Sequence, residues 1–494
     1  MWILPVSAVI VPLICALFIY TLKEEDLSRR NKAALAAVII NFILILFMLF
    51  RLTAGDVMEI SFLSVAGASL VIRVDYFSIV FALLCSFLWI FSVVYSIGYM
   101  EQHPNNRRFF IFYIMNLGIA CGLAFAGNLF TLFIFFKLLT ITTFPLVAHS
   151  ESREARKATM IYLYYSVASG ALLLYTVVVL QNLFNSGVIS ELGFMPGGFI
   201  EGPVVPGLVA AFGAGFLGFA VKAALMPLHH WLPRAMVAAA PVSALFHAVA
   251  VVNTGIFGII RLIYYVYGPA WVEASGMYLF LILFAIFTIL LGSFRAMVED
   301  ELKLRLAYST ISQMGYLTLA SVLLVPSALT GGLLHFFNHA FLKITLFFCA
   351  GIIISLTGKS KISEMAGIGK KYPKTMVAFA IGGLGLIGIP PINGYLIKLY
   401  LFYSGLELAS TYETVMVISV IAFSALLNAT YYLPIIIQAF WGQEEFDPGS
   451  TVKEEKPLLI YPTIALAVGC IILGILPVFI TIPLVELVVN SIVW

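Results

Sequence analysis

VPGLVAAFGAGFLGFAVKAALMPLHHWLPRAMVAAAPVSALFHAVAVVNTGIFGIIRLIYYVY, residues 205–267, contains two long apolar runs, 205–226 and 242–267, with a short polar stretch between them. About 20 mainly apolar residues, wound as a helix, cross roughly 30 Å of hydrocarbon. Neither run alternates with the period of two that a membrane barrel strand needs. A lysine, Lys222, lies inside the first run, and Pro227 interrupts the helix just after it.

Runs of this kind recur along the chain, near 2–22, 33–51, 75–98, 109–126, 129–149, 158–183, 205–226, 242–267, 277–296, 305–324, 328–356, 375–403, 412–440 and 457–482. The 494 residues are 62% hydrophobic and 10% charged, with a mean hydropathy of +1.06. A water-soluble domain of that composition would expose large apolar patches. The expected fold class is an all-α polytopic membrane protein of about fourteen transmembrane helices. Spans four and five divide at Gly127 and Asn128, and residues 483–494 could extend the last helix. The first run has no basic residue before it and no small-residue cleavage site after it, so it reads as a span rather than a removed signal.

Charge placement tests the span count independently, because Lys and Arg gather in cytoplasmic loops. Twenty of the twenty-seven basic residues, among them Lys23, Arg107, Lys303, Lys361 and Lys453, fall after odd-numbered spans. After even-numbered spans stand only Arg51, Arg73 and Arg261, each close to a span end. A missed span in mid-chain would scramble this alternation, and the pattern places both termini outside the cytoplasm. The net charge of +3 is scattered, which gives nucleic acid no surface to bind. Five isolated cysteines offer no metal or disulfide framework, and no cofactor or metal is expected.

The remaining four basic residues, Lys137, Lys222, Lys343 and Lys398, sit inside spans. A charge at the centre of a lone helix costs roughly 2.5 to 3.5 kcal/mol on insertion scales, so each needs a reason. Snorkelling toward the headgroups is the plain alternative, strongest for Lys222 and Lys398 near their span ends. Lys137 is too deep for it. No carboxylate lies inside a span to pair with these amines, and desolvation favours neutral amines that can take up and release protons. On span 11, His335, His339 and Lys343 are spaced by four residues in HFFNHAFLK and share one helix face. Histidine titrates near neutral pH and passes a proton between its two nitrogens, so this row is a candidate relay. His247 on span 8 is a weaker candidate for the same path.

Spans 7 and 12 are both interrupted, by Pro227 and by Pro390 with Pro391 in GIPPINGYLIK. Freed backbone carbonyls at membrane depth are tolerated beside protein or a wet cavity, so each break marks a pocket next to a lysine. The two spans are an odd number apart, the arrangement of inverted repeats. The expected division is 1–108 for helices 1–3, 109–267 for a first repeat of helices 4–8, 268–440 for a second of helices 9–13, and 441–494 for helix 14. The strings GAGFLG at 213–218 and GLGLIG at 383–388 follow no strand, so they read as helix-packing faces rather than nucleotide loops.

Four motifs in order, VKAALMPLHHWLPRAMVAAAPVSALFHAVAVVNTGIFGIIR at 221–261, DELKLRLAYSTISQMGY at 300–316, LLHFFNHAFLKITLFFCAG at 333–351 and GLIGIPPINGYLIK at 385–398, resemble the antiporter-like membrane subunits of respiratory complex I. The same modules occur in multisubunit Mrp-type cation/proton antiporters, whose D-type component is of this kind, and in membrane-bound hydrogenases and sulfur reductases. The resemblance spans roughly residues 75 to 440. It implies two inverted five-helix repeats, broken helices 7 and 12, and a hydrated axis through Lys222, His247, His335, His339, Lys343 and Lys398.

Two positions depart from that family's pattern. Its helix 5 usually carries a glutamate paired with the helix 7 lysine, where FFKLLTITTFPLV at 135–147 places Lys137; its frequent helix 8 lysine is Asn253. Two facing lysines cannot couple as a Glu–Lys pair does. Either this copy moves a different ion or uses a different coupling step, or it is a degenerate structural module that does not pump. The expected function is proton translocation, with sodium as a candidate coupling ion, in a larger membrane complex. Catalytic chemistry, of a hydrogenase, sulfur reductase or quinone reductase kind, would reside in partner subunits. The lateral helix of the largest complex I subunit type is not seen after span 14, which points to the shorter types. The resemblance places the chain in a prokaryotic plasma membrane, beside other antiporter-like and small subunits.

Overall fold

A computed structural model describes residues 3–65, 68–101, 103–183, 194–198, 200, 203–443 and 456–492. Lys453, counted above among the loop residues, lies outside them. Eleven helices among the described residues are long and apolar enough to cross a membrane. They are α1 (Ile3–Thr21), α2 (Leu27–Thr53), α3 (Tyr76–Met100), α4 (Asn106–Ala124), α5 (Leu129–Val147), α6 (Arg153–Leu183), α8 (Ala240–Tyr267), α9 (Tyr278–Val298), α11 (Pro326–Thr357), α14 (Thr411–Trp441) and α15 (Pro457–Ile475). The other expected spans are α7 (Pro206–Lys222), α10 (Leu302–Val322) and the pair α12 (Pro373–Ile387) and α13 (Tyr395–Glu407). A final helix, α16, runs Pro477–Val489. The all-α polytopic reading therefore holds.

Local chemistry sets the helix ends. The division at Gly127 and Asn128 is real because the Asn128 side chain accepts the Thr131 N–H at 2.8 Å and starts α5. Proline opens α7, α11, α12, α15 and α16, where its missing N–H costs no helical bond. The last span differs from expectation, since Pro477 closes α15 at Ile475 and begins a separate helix.

Two features went unforeseen. A hairpin of β1 (Glu59–Val65) and β2 (Ala68–Arg73) fills the α2–α3 connection. It is tied to the α4–α5 turn by Arg73 N–H to the Phe125 carbonyl and Gly127 N–H to the Val71 carbonyl, both at 2.8 Å. Arg261, read above as a loop residue near a span end, is instead wholly buried within α8. Its guanidinium makes a two-pronged ion pair with Asp75, at 2.6 and 2.8 Å, and lies over the rings of Tyr265 and Phe194 at 4.4 and 4.9 Å. Asp75 also accepts the Ser78 N–H as the N-cap of α3. One carboxylate thus fixes the start of α3 against the end of α8.

Candidate functional site

Each broken helix sets a lysine beside its break, Lys222 just before one and Lys398 just after the other. In span 7, α7 ends at Lys222 and the chain then leaves helical geometry, with Ala224 at φ +56. In span 12, α12 ends at Ile387, Gly388 takes φ +96, and α13 resumes at Tyr395. A glycine is required at 388 for two reasons: its backbone is left-handed, and a Cβ there would lie 2.8 Å from Lys398 Cδ. Proline stands in each break, at Pro227 and at Pro390 with Pro391.

Lys222 is 1% exposed. That is not a snorkelled geometry. Its ammonium donates to Thr140 Oγ1 and Tyr162 OH, each at 2.8 Å, and lies 4.9 Å from the centre of the Tyr162 ring. Thr143 Oγ1 is 2.7 Å from the same phenol. A cage of hydroxyls from α5 and α6 thus receives the amine, with no carboxylate in it. Lys398, half-buried on α13, reaches back to the carbonyls of Leu386 and Ile387. These are the last carbonyls of α12, where the helix dipole presents its negative end. Asn428 Nδ2 shares the Leu386 carbonyl at 3.2 Å.

Lys343, fully buried in α11, repeats the hydroxyl cage in the second half of the chain. It donates to Ser309 Oγ, to the Leu306 carbonyl at 3.0 Å and to Tyr432 OH at 3.3 Å, while Ser309 and Tyr432 lie 2.8 Å apart. One and two turns earlier on α11, His339 and His335 have ring centres 5.7 Å apart. His335 Nε2 meets Gln313 Oε1 at 3.0 Å. His247 comes to this row from α8 and stacks on Phe347, with ring centres 4.5 Å apart.

The electrostatic neighbours form an ordered series. His335 feels Lys398 and Lys343, His339 feels His335, Lys343 and His247, and His247 feels Lys343. Phe246, next to His247 in the chain, has its ring centre 6.3 Å from that of Tyr162, a partner of Lys222. Lys303 also lies within electrostatic reach of His247. It donates to the carbonyls of Met236 and Ala238 at 2.7 Å each, on the wall of an open cavity of about 820 Å³ that also meets His229, Arg295, Glu299 and Glu301.

Two of the singled-out residues stand apart from this series. Asn253, fully buried, donates to the Ala248 carbonyl inside the π-helical turn Phe246–Ala250. A π turn leaves a carbonyl without its usual helical donor, and Asn253 satisfies one. Lys137 is half-buried on α5 and, among the described residues, donates to the backbone carbonyl of Ser166 on α6. It lies within electrostatic reach of Lys222. The hydroxyls of Thr140, Tyr162, Ser309 and Tyr432, and the amine of Lys303, were not singled out from the sequence. Hydroxyl residues are common in apolar helices, and only tertiary packing shows which of them face an amine.

A helical membrane protein with two interrupted spans and a file of buried amines and imidazoles defines the class. Residues 126–425 match the family described as NADH:quinone oxidoreductase/Mrp antiporter, TM, and the chain belongs to that family. Residues 62–110 match NADH-Ubiquinone oxidoreductase (complex I), chain 5 N-terminus. Among named relatives, the N-type component of the NADH-quinone oxidoreductase of Desulforudis audaxviator is 29% identical over 417 residues, covering 79% of each protein. A probable K(+)/H(+) antiporter component of Rhizobium meliloti, of the combined A/B type, is 28% identical over 414 residues, which are 83% of this chain and 40% of that protein. NADH-ubiquinone oxidoreductase chain 5 of Balaenoptera physalus is 30% identical over 404 residues, or 81% of this chain and 64% of the relative. The chain thus spans well under two thirds of the Rhizobium relative and slightly under two thirds of the whale relative. The fold matches a chain of the Mrp complex of Dietzia sp. DQ12-45-1b, with TM-score 0.85, 20% identity, and coverage of 100% of this chain and 98% of that one. It matches a chain of the archaeal membrane-bound sulfane sulfur reductase with TM-score 0.84, 21% identity, and coverage of 99% and 97%. This is an antiporter-like membrane subunit.

Proposed function

We propose that the chain translocates protons as one subunit of a multisubunit membrane complex, along a path through Lys222, His247, Lys343, His339, His335 and Lys398. The observation that carries this reading is the row of His335, His339 and Lys343 on successive turns of α11, all buried, with the two imidazole ring centres 5.7 Å apart. Water completes the path. Both ring nitrogens of His247 and of His339, Nδ1 of His335, Nε2 of Gln313 and Oδ1 of Asn338 are buried without a hydrogen-bond partner among the described residues. Buried polar atoms are nearly always hydrogen-bonded, and polar interiors satisfy them with water making about three bonds each. Hydroxyl cages around Lys222 and Lys343 suit amines that alternate between charged and neutral forms, because a hydroxyl can donate as well as accept. A fixed carboxylate would hold the amine charged.

The repeats would be 109–267 and 268–440, flanked by helices 1–3 in 1–108 and by 441–494. A proline-interrupted span in each half, with a lysine beside each break, supports that division. Both termini would lie outside the cytoplasm of a prokaryotic cell, and the 820 Å³ cavity beside Lys303 would then open to the cytoplasm as the proton entrance. Redox chemistry, where the parent complex has it, belongs to other subunits. A counter-transported metal cation is part of the reading, with sodium and, from the Rhizobium relative's name, potassium as candidates.

A second reading, a non-pumping structural module, draws on Lys137 standing where the family's pattern has a glutamate. Proton uptake by the intact complex in sealed liposomes separates the two. Translocation requires Lys222→Ala and Lys398→Ala each to cut uptake by at least about tenfold while the complex still assembles. Unchanged uptake in both variants leaves only the structural module.

A further inference from the structure

Lys137 occupies a position that this chain alone does not complete. It is the ninth of the 19 residues of α5, so its Cα lies about 12 Å from the nearer helix end, beyond the reach of a four-carbon stem. Yet the side chain is only half-buried. It lies in the groove between α5 and α6, pressed into a notch made by Gly170: a Cβ there would fall 1.8 Å from Lys137 Nζ and 1.9 Å from Cε.

The surroundings on that face are apolar and outward. Leu138 and Ile141 on α5 are 38% and 56% exposed, and Tyr164 and Val167 on α6 are 67% and 69% exposed. The amine's acceptor among the described residues, the Ser166 carbonyl, already takes the helical N–H of Gly170. The charged group it feels is another amine, Lys222. Among the described residues no carboxylate stands within salt-bridge distance of it. An ammonium with open donors at mid-membrane depth does not face acyl chains, because lipid supplies neither acceptor nor counter-charge there.

We infer that the α5–α6 face around Lys137 is a subunit interface, covered by a transmembrane helix of another membrane protein that presents an aspartate or glutamate to this amine. The pair would restore, between two chains, the acid and base that the family's pattern places within one. It concerns assembly, so it stands or falls separately from proton transfer.

The intact complex from its native membrane provides the test. A photoreactive benzoylphenylalanine at Ile141 or Val167 is expected to cross-link to a second membrane protein of the complex, in a span with an acidic residue near its middle. In the same membranes Lys137→Glu should lower co-purification of that protein at least tenfold. Lys137→Met should lower it less, and changing the cross-linked acid to lysine should rescue Lys137→Glu. The amount of chain retained in the membrane, and its thermal unfolding, separate lost assembly from lost folding. Adducts to lipid only, or normal assembly of Lys137→Glu with the chain folded, would overturn the inference.

Discussion

Replacing Lys343 with methionine is expected to lower proton uptake by the intact complex at least about a hundredfold, the scale on which a positioned proton-transfer group acts. Lys343 is an electrostatic neighbour of all three imidazoles of the row, His247, His339 and His335. Without the amine, Ser309 and Tyr432 remain in place but neither takes a stable extra proton at neutral pH. The substitution also separates transport from folding. Methionine fills a similar volume, and exchanging a buried charge for an apolar side chain is often neutral or stabilising. Assembly at the wild-type level, together with lost uptake, is the expected pair of results. Normal uptake in a folded Lys343→Met complex would remove this residue from the path.

The largest expected effect on stability belongs to Asp75→Asn. Arg261 is wholly buried, and Asp75 is its ion-pair partner among the described residues. Breaking a buried pair by removing one charge typically costs about 3 to 5 kcal/mol, because the other charge stays buried without compensation. The four aromatic rings within 5.1 Å or less of the Arg261 guanidinium offset part of that, which places the expected loss near the lower end, about 3 kcal/mol. Asparagine still accepts at the N-cap of α3, so the helix start is spared. Chemical or thermal unfolding of the purified complex reads the change. Asp75→Glu, which keeps the charge, should lose less.

Much of this architecture was legible in the residues, and the reasons differ from place to place. Long apolar runs, alternating basic loops and the prolines at 227, 390 and 391 are local signals, so the spans and both interruptions follow from short windows of chain. The division at Asn128 was legible as a Gly–Asn break between two apolar runs, and the structure shows the local contact behind it, the Asn128 cap on the Thr131 N–H. The β1–β2 hairpin was not, because its strands are held by the α4–α5 turn, a contact distant in sequence. Arg261 misled for a related reason: Asp75, its partner, lies 186 residues away, and a base near a span end looks like a loop base until that partner is seen. The depth of Lys137 was legible from its place in the span. Its half-exposure was not, since a helix that is apolar all round gives no periodicity to say which side meets its neighbours.

Water-derived hydroxyl radicals, generated by X-ray pulses in the intact membrane complex, test most directly whether the buried file is wet. His339 and Tyr432 are inaccessible to bulk solvent in the fold, as is Tyr95, whose hydroxyl is bonded to the Phe348 carbonyl and whose ring stacks 3.8 Å from that of Phe348. A hydrated path predicts oxidation of His339 and Tyr432 well above that of Tyr95. Equal protection of all three would mean a dry interior, and protons would have no route along these lysines and histidines.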